Sequence, residues 1–176
     1  FGFLKFYKSV RSKGIKPIAG AEINHVRDSS SHNEHANLTL IAKNHLGYKN
    51  LIKLISKSQI VGKTSGIPVI ETEWLAEHSD GLIALSGGFR GHIGKAVLDT
   101  NHDLFLKRIK YFQKIFKEDF ILEISRINRP QEDIYNDYIL SKAGELGLPV
   151  VASNEVRFID KELSLIHISE PTRPRL

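Results

Sequence analysis

The sequence predicts an α/β fold, and three observations carry that expectation. Short apolar runs bounded by Gly and Pro alternate with longer segments whose apolar residues recur at helical spacing. The 176 residues are 41% hydrophobic and 26% charged, which suits one buried core and excludes a disordered chain. No internal repeat or low-complexity tract interrupts the alternation. Such an order places parallel strands in one sheet, either closed as a barrel or left open.

The elements follow in turn. Phe3, Tyr7 and Val10 share a helical face, and Gly14 supplies a stop. Ile15 to Ile23 (IKPIAGAEI) reads as a strand with Pro17 near its start. The polar stretch Arg27 to Ala36 has no period and reads as a loop, before a buried strand over Leu38 to Ala42. Tyr48, Leu51, Ile52 and Ile55 mark one face of a second helix. Gly62 to Pro68 reads as a linker-like turn, and Glu71 to Glu77 as a short helix with the only tryptophan, Trp74. Leu82 to Leu85 forms a third strand, closed by Ser86-Gly87-Gly88. Two helices follow, His92 to Leu98 and Asp103 to Lys117, the second with a stripe of Phe105, Ile109, Phe112 and Phe116. Phe120 to Ile124 is a fourth strand, Gln131 to Leu146 a helix stopped by Gly147, and Pro149 to Ala152 a fifth strand.

Composition narrows the function classes. There are no cysteines, which removes disulfides, thiolate metal sites and cysteine nucleophiles and fits a reducing compartment. No apolar run approaches the ~20 residues of a membrane helix. There are no methionines either, and the chain opens with Phe-Gly-Phe-Leu in mid-helix, so an internal fragment is expected. The last residues, LSLIHISEPTRPRL from Leu163 to Leu176, break the pattern, and Pro171 and Pro174 forbid a continuing helix. They resemble the conceptual translation of a sequencing-library adapter, with a genuine proline-bearing tail as the alternative. The net charge of +5 is too small to argue nucleic-acid binding unaided.

Four clusters could carry chemistry. His32-Asn33-Glu34-His35 offers imidazole and carboxylate ligands, or is a solvated loop. Ser86 to Gly94 (SGGFRGHIG) lies between a strand and a helix, where it can cradle a phosphate or serve as a glycine turn. Lys107, Arg108, Lys110, Lys114 and Lys117 make one helix basic, to touch DNA or a membrane surface, or simply as a solvated face. Glu22 lies on the first strand, and Asn154, Glu155 and Arg157 follow the fifth. Strand ends of this kind gather at the functional face of parallel α/β folds.

Several collinear stretches resemble one family. Phe3-Leu4-Lys5-Phe6-Tyr7, then Gly14-Ile15-Lys16-Pro17-Ile18 with Gly20 and Glu22, is similar to the "LKFY…GIKPI.G.E" segment of bacterial DNA polymerase III alpha subunits. Leu40 to Asn44 and Gly47 to Ser56 resemble "LLAKN..GY.NL..L.S", and Gly81 to Gly88 resembles "GLI.LSGG". Leu148 to Phe158 (LPVVASNEVRF) resembles "LPVVATNDV.F". The region is that family's N-terminal PHP domain. The resemblance implies an incomplete, distorted (β/α)7 barrel, TIM-like, over residues 1–162, lacking its first strands and its C-terminal part. Residues 163–176 are expected to be foreign to it.

The resemblance also implies a site. Glu22 falls on an acidic ligand position and Asn37 on a histidine position. Glu155 and Arg157 fall on an Asp-x-His pair, and Ile127 sits where many members have histidine. An Arg guanidinium has no acceptor and cannot ligate, and an amide oxygen is a poorer transition-metal ligand than imidazole. These four positions, Glu22, Asn37, Glu155 and Arg157, are therefore expected to be vestigial, with no metal bound and no catalytic residue in this segment. Arg157 is expected to serve as counter-charge for Glu22 or Glu155. The family implies a cytoplasmic parent chain that is a DNA-directed DNA polymerase, with Mg²⁺ in a polymerase domain outside these residues. It also implies contacts with a proofreading exonuclease subunit, other replicase subunits and primer-template DNA, and none with membrane. The competing expectation is an active metal-dependent PHP phosphoesterase, of the proofreading or histidinol-phosphatase kind.

Overall fold

Why the chain divides where it does follows from its caps and breaks. A computed structural model describes residues 2–26, 35–64 and 66–154. Helix α1 (Phe3–Ser12) ends before Gly14, whose φ of +74° is open to glycine without strain. Strand β1 (Gly20–Val26) is followed by β2 (Ala36–Ala42) and by α2 (His45–Ile60), whose first turn is capped by the Asn44 side chain accepting from the Gly47 N–H at 2.9 Å. Three two-residue strands come next: β3 (Lys63–Thr64), β4 (Ile67–Pro68) and β5 (Ile70–Glu71). Then come α3 (Thr72–Glu77), β6 (Leu82–Leu85) and α4 (His92–Leu98). The chain continues with α5 (His102–Phe116), β7 (Phe120–Ile124), α6 (Glu132–Leu146) and β8 (Val150–Ala152).

The fold is mixed α/β around a six-stranded sheet of order β5-β1-β2-β6-β7-β8. The expectation of uniformly parallel strands is corrected here: β2 pairs antiparallel with both β1 and β6, while the other pairings are parallel. The reason is connection length. Parallel neighbours need a crossover of a dozen or more residues, whereas the short aperiodic link between β1 and β2 permits only an antiparallel return. The first strand also starts later than expected, at Gly20, because Pro17 lacks an N–H and Ile15 and Ile18 stay exposed. The expected turn at Gly62 to Pro68 contains the small β3–β4 ribbon.

Period-2 alternation divides the sheet into two unlike faces. Ile23, Leu38, Leu40, Leu82, Ala84, Phe120 and Leu122 are buried in one core with Leu51 and Leu54 of α2 and the full α5 stripe of Phe105, Ile109, Phe112 and Phe116. Glu22, Asn37, Thr39 and Glu123 alternate with them and point to the opposite, more open face. The expected face of α2 is rotated, with Ile52 exposed and Gly47, Asn50, Leu51, Leu54 and Ser58 buried. Gly47 decides this: a Cβ there would lie 1.8 Å from the Gly81 carbonyl, so the helix start is pressed onto the turn before β6. Among the described residues no helix is long and apolar enough to cross a membrane.

Candidate functional site

Three parallel strands end together, and their last residues turn onto the open face. Ser86 follows β6, Ser125 follows β7 and Ser153 follows β8, while the opposed strand β2 enters at the same end with Asn37. A cleft of about 310 Å³ lies there, with Glu22, Asn37, Arg90, Glu123, Ser125, Ile127, Arg129, Ser153 and Asn154 among its lining.

The glycine loop builds one wall. Gly87 has φ +77°, and a Cβ there would come within 2.1 Å of the Asn37 carbonyl. Gly91 forms an isolated bridge with Asn37 and packs equally close to the Ser86 carbonyl. Of the two readings of SGGFRGHIG, the structure favours the turn: its glycines admit close backbone packing against β2. The loop also delivers Arg90, whose guanidinium lies 3.8 Å from Glu22 Oε1. The same carboxylate oxygen accepts a hydrogen bond from Asn37 Nδ2. Glu22 and Arg90 are both partly solvated, so their attraction is worth less than about 1 kcal/mol in stability.

The opposite wall is held by a buried carboxylate that sequence reading missed. Glu132, 5% exposed, accepts from the Ser125 hydroxyl at 3.0 Å, the Ile127 N–H at 2.8 Å and the Asn128 N–H at 2.9 Å. Desolvation pushes its carboxyl up, but the hydrogen bonds from Ile127, Ser125 and the neighbouring backbone together outweigh burial and hold it below the ordinary 4.5. A depressed folded-state value contributes stability above the ordinary one, and that stability is lost as pH falls through the folded value. Thermal melts across the acid range should therefore decline below pH 4.5, and Glu132→Gln should flatten that decline. An unchanged slope in the variant would show that other carboxylates carry it.

At the back of the cleft the Glu123 side chain accepts from the Ser153 hydroxyl, its N–H donates to Ser86 Oγ at 2.9 Å and its carbonyl accepts from Tyr135 at 2.8 Å. Burial pushes the Tyr135 phenol far up, so it remains a donor throughout the physiological range.

The structure thus gathers Glu22, Asn37, Ile127 and Asn154 in one cleft. Glu155 and Arg157 lie outside the described residues, as do His32 to Glu34 and the segment 163–176. His35 is described, and its carbonyl accepts from Lys95. Glu123, Ser125 and Arg129 went unnoticed in the sequence, and Ser86 was marked only as the start of the glycine loop. Glu123 had a signal, being the polar break inside the apolar run FILEI. The donors facing the cleft are carboxylate, amide and hydroxyl oxygens, and among the described residues no three His, Cys, Asp or Glu side chains gather to hold a metal.

A sheet with helices packed on one face and a polar cleft at the shared strand ends, entered by a carboxylate from β1, is an α/β domain with its site where such folds place ligands. The chain belongs to the PHP domain family, which it matches over residues 1–127. It is similar to proteins called DNA polymerase III subunit alpha. It is 40% identical to that of Vibrio cholerae and 39% identical to that of Escherichia coli K12, each over 99% of this chain. With that of Haemophilus influenzae it shares 39% identity over 92% of this chain. The chain spans 16% of the first two relatives and 14% of the third.

Proposed function

We propose that residues 1–162 are a PHP segment of a cytoplasmic DNA polymerase III alpha subunit, metal-free and catalytically inactive, with 163–176 foreign to it. The segment is structural and helps dock the proofreading exonuclease subunit. Template-directed DNA synthesis, with Mg²⁺ and primer-template DNA, belongs to other parts of the parent chain. The closed (β/α)7 barrel is part of this reading, and the half-exposed alternation on the open face of the sheet supports it: further strands would cover that face.

One observation carries the inactive assignment. Glu22, the acidic ligand position, is occupied by an amide N–H from Asn37 and faced by the Arg90 guanidinium. A fixed cation beside the carboxylate opposes a divalent ion there. An N–H donor turned to the same oxygen leaves the Asn37 amide ill-placed as a ligand.

The test is calorimetric titration of the whole chain with Mn²⁺ and Zn²⁺, together with hydrolysis of p-nitrophenyl phosphate. Neither saturable metal binding nor metal-dependent turnover is expected. Saturable binding and turnover that both vanish in Glu22→Gln would establish the active phosphoesterase instead.

A further inference from the structure

The helical side of the molecule holds a second cavity, of about 570 Å³, where the end of α4 and the start of α5 meet α6. None of its lining residues lines the strand-end cleft. Val97 and Leu98 of α4 and Ile134 of α6 supply apolar wall, while His102 of α5 and Tyr138 and Lys142 of α6 supply polar groups. Ile134, Tyr138 and Lys142 recur every four residues, so they rise about 6 Å apart along one stripe of α6.

We infer that this cavity binds a small aromatic acid, its ring against the apolar wall and its carboxylate or sulfonate at Lys142 and His102. Small-molecule sites typically enclose about 300 to 1,000 Å³ and pair a mostly apolar wall with a few placed polar groups, as here. The polar groups are fixed in advance. Tyr138 Oη and His102 Nδ1 lie 2.6 Å apart. Both rings rest on buried Phe105, that of Tyr138 edge-on at 5.3 Å and that of His102 nearly parallel at 6.2 Å. Side chains held in this way lose little freedom when a ligand arrives. The backbone around the cavity is special too. Thr100, with φ +54°, and Gln131, with φ +65°, line it in the left-handed conformation without being glycine. Such backbone is costly, most of all for a β-branched residue, and it gathers at ligand sites.

The charge of the ligand follows from the lining. Among the described residues no carboxylate lines the cavity, and Lys142 brings an ammonium to it. That ammonium donates to Glu145 at 2.6 Å, which uses one of its three donors and leaves the others for an anion. Burial pushes the Tyr138 phenol up and keeps it protonated. With that hydroxyl donating to Nδ1, the neutral His102 imidazole carries its own proton on Nε2, a second donor for the same anion. The inference does not rest on the inactive reading of the cleft, which lies at the strand ends.

The experiment titrates the whole chain with the fluorescent acid anilinonaphthalene sulfonate and, in parallel, with phenylnaphthylamine, the same ring system without the sulfonate. The variants are Lys142→Gln, its charge-retaining counterpart Lys142→Arg, Ile134→Glu, and Lys107→Gln on α5 outside the cavity. Ile134 is 67% exposed, so the fold tolerates a carboxylate there, which would face the ligand's own charge. The sulfonate should bind saturably, one to one. Lys142→Gln and Ile134→Glu should each weaken it about tenfold, the loss of one charge-assisted hydrogen bond or its equivalent in repulsion. Lys142→Arg and Lys107→Gln should retain the affinity, and the uncharged dye should bind Lys142→Gln as it binds the parent. Absence of saturable sulfonate binding overturns the inference, as does full sulfonate affinity in Ile134→Glu. An equal loss of both dyes in Lys142→Gln does so too, since it marks uptake by apolar surface alone, and so does an equal loss in Lys107→Gln.

Discussion

Phe112→Ala is expected to lower the stability of the folded chain by about 4 kcal/mol, read as a large shift of the urea midpoint. Phe112 is 1% exposed and sits where four elements meet. Its ring stacks on Phe120 of β7 at 5.1 Å and 13°, and it approaches His25 of β1 at 5.7 Å and His92 of α4 at 6.2 Å. Tyr111 of the same helix meets it edge-on at 4.9 Å. Truncation removes the transfer free energy of a whole ring and leaves a cavity whose walls are strands and helices tied in other places, so little collapse can relieve it. Phe3→Ala is the comparison, since that ring is 42% exposed and lies beside only the Tyr7 and Tyr48 rings among the described aromatic residues. It should cost about half a kcal/mol. Similar losses in the two variants would mean that the α5 stripe does not anchor the core.

Gly91→Ala should be nearly as damaging, about 3 kcal/mol, although it adds a single methyl group. The backbone at Gly91 is ordinary, with φ −76°, so conformational freedom is not the issue. Contact is: the new Cβ would lie 1.8 Å from the Ser86 carbonyl and 3.2 Å from that of Asn37, both backbone atoms that cannot swing away. The loop must lift from β2, and Arg90 moves with it away from Glu22. Gly144→Ala is the opposite case. Gly144 lies within α6 with open space around it, and alanine there should stabilise by about 1 kcal/mol. A neutral Gly91→Ala in the same denaturation series would contradict the packing described for the glycine loop.

Long periodic segments were legible in the sequence, and so were strands bounded by strong breakers. Helix α4 and strands β6 and β7 fall on the expected residues, and the aromatic stripe of α5 is wholly buried. What escaped was decided by contacts remote in sequence. The face of α2 depends on Gly81, a turn that local periodicity does not register. The two-residue strands β3, β4 and β5 are too short to carry a period at all. The antiparallel course of β2 was legible in principle, because the link before it is too short for a crossover helix. For the site, Glu22, Asn37, Ile127 and Asn154 were marked in the sequence and meet in one cleft. Arg90 was noticed only as part of a glycine loop, and its proximity to Glu22 depends on how that loop folds over β2. Glu132 resembled one more acidic residue in a first helical turn, a position that ordinarily faces solvent. Only the tertiary arrangement turns it inward toward Ser125, Ile127 and Asn128.

The reversed strand also bears on the order in which the sheet assembles. Pairing of β1 with β2 joins residues as near in sequence as His25 and Ala36. Every other pairing in that sheet must bring together residues such as Leu122 and Val150, or Ala42 and Leu82. Loop-closure entropy rises with the length enclosed, so the hairpin has the smallest entropic barrier to closure within that sheet. Once closed, it offers Leu38 and Leu40 as a template on which α2 and then β6 can settle. The same hairpin holds Glu22 opposite Thr39, two residues from Asn37. The earliest contact available to the sheet thus carries the first two residues of the cleft, before the strands that complete it have arrived.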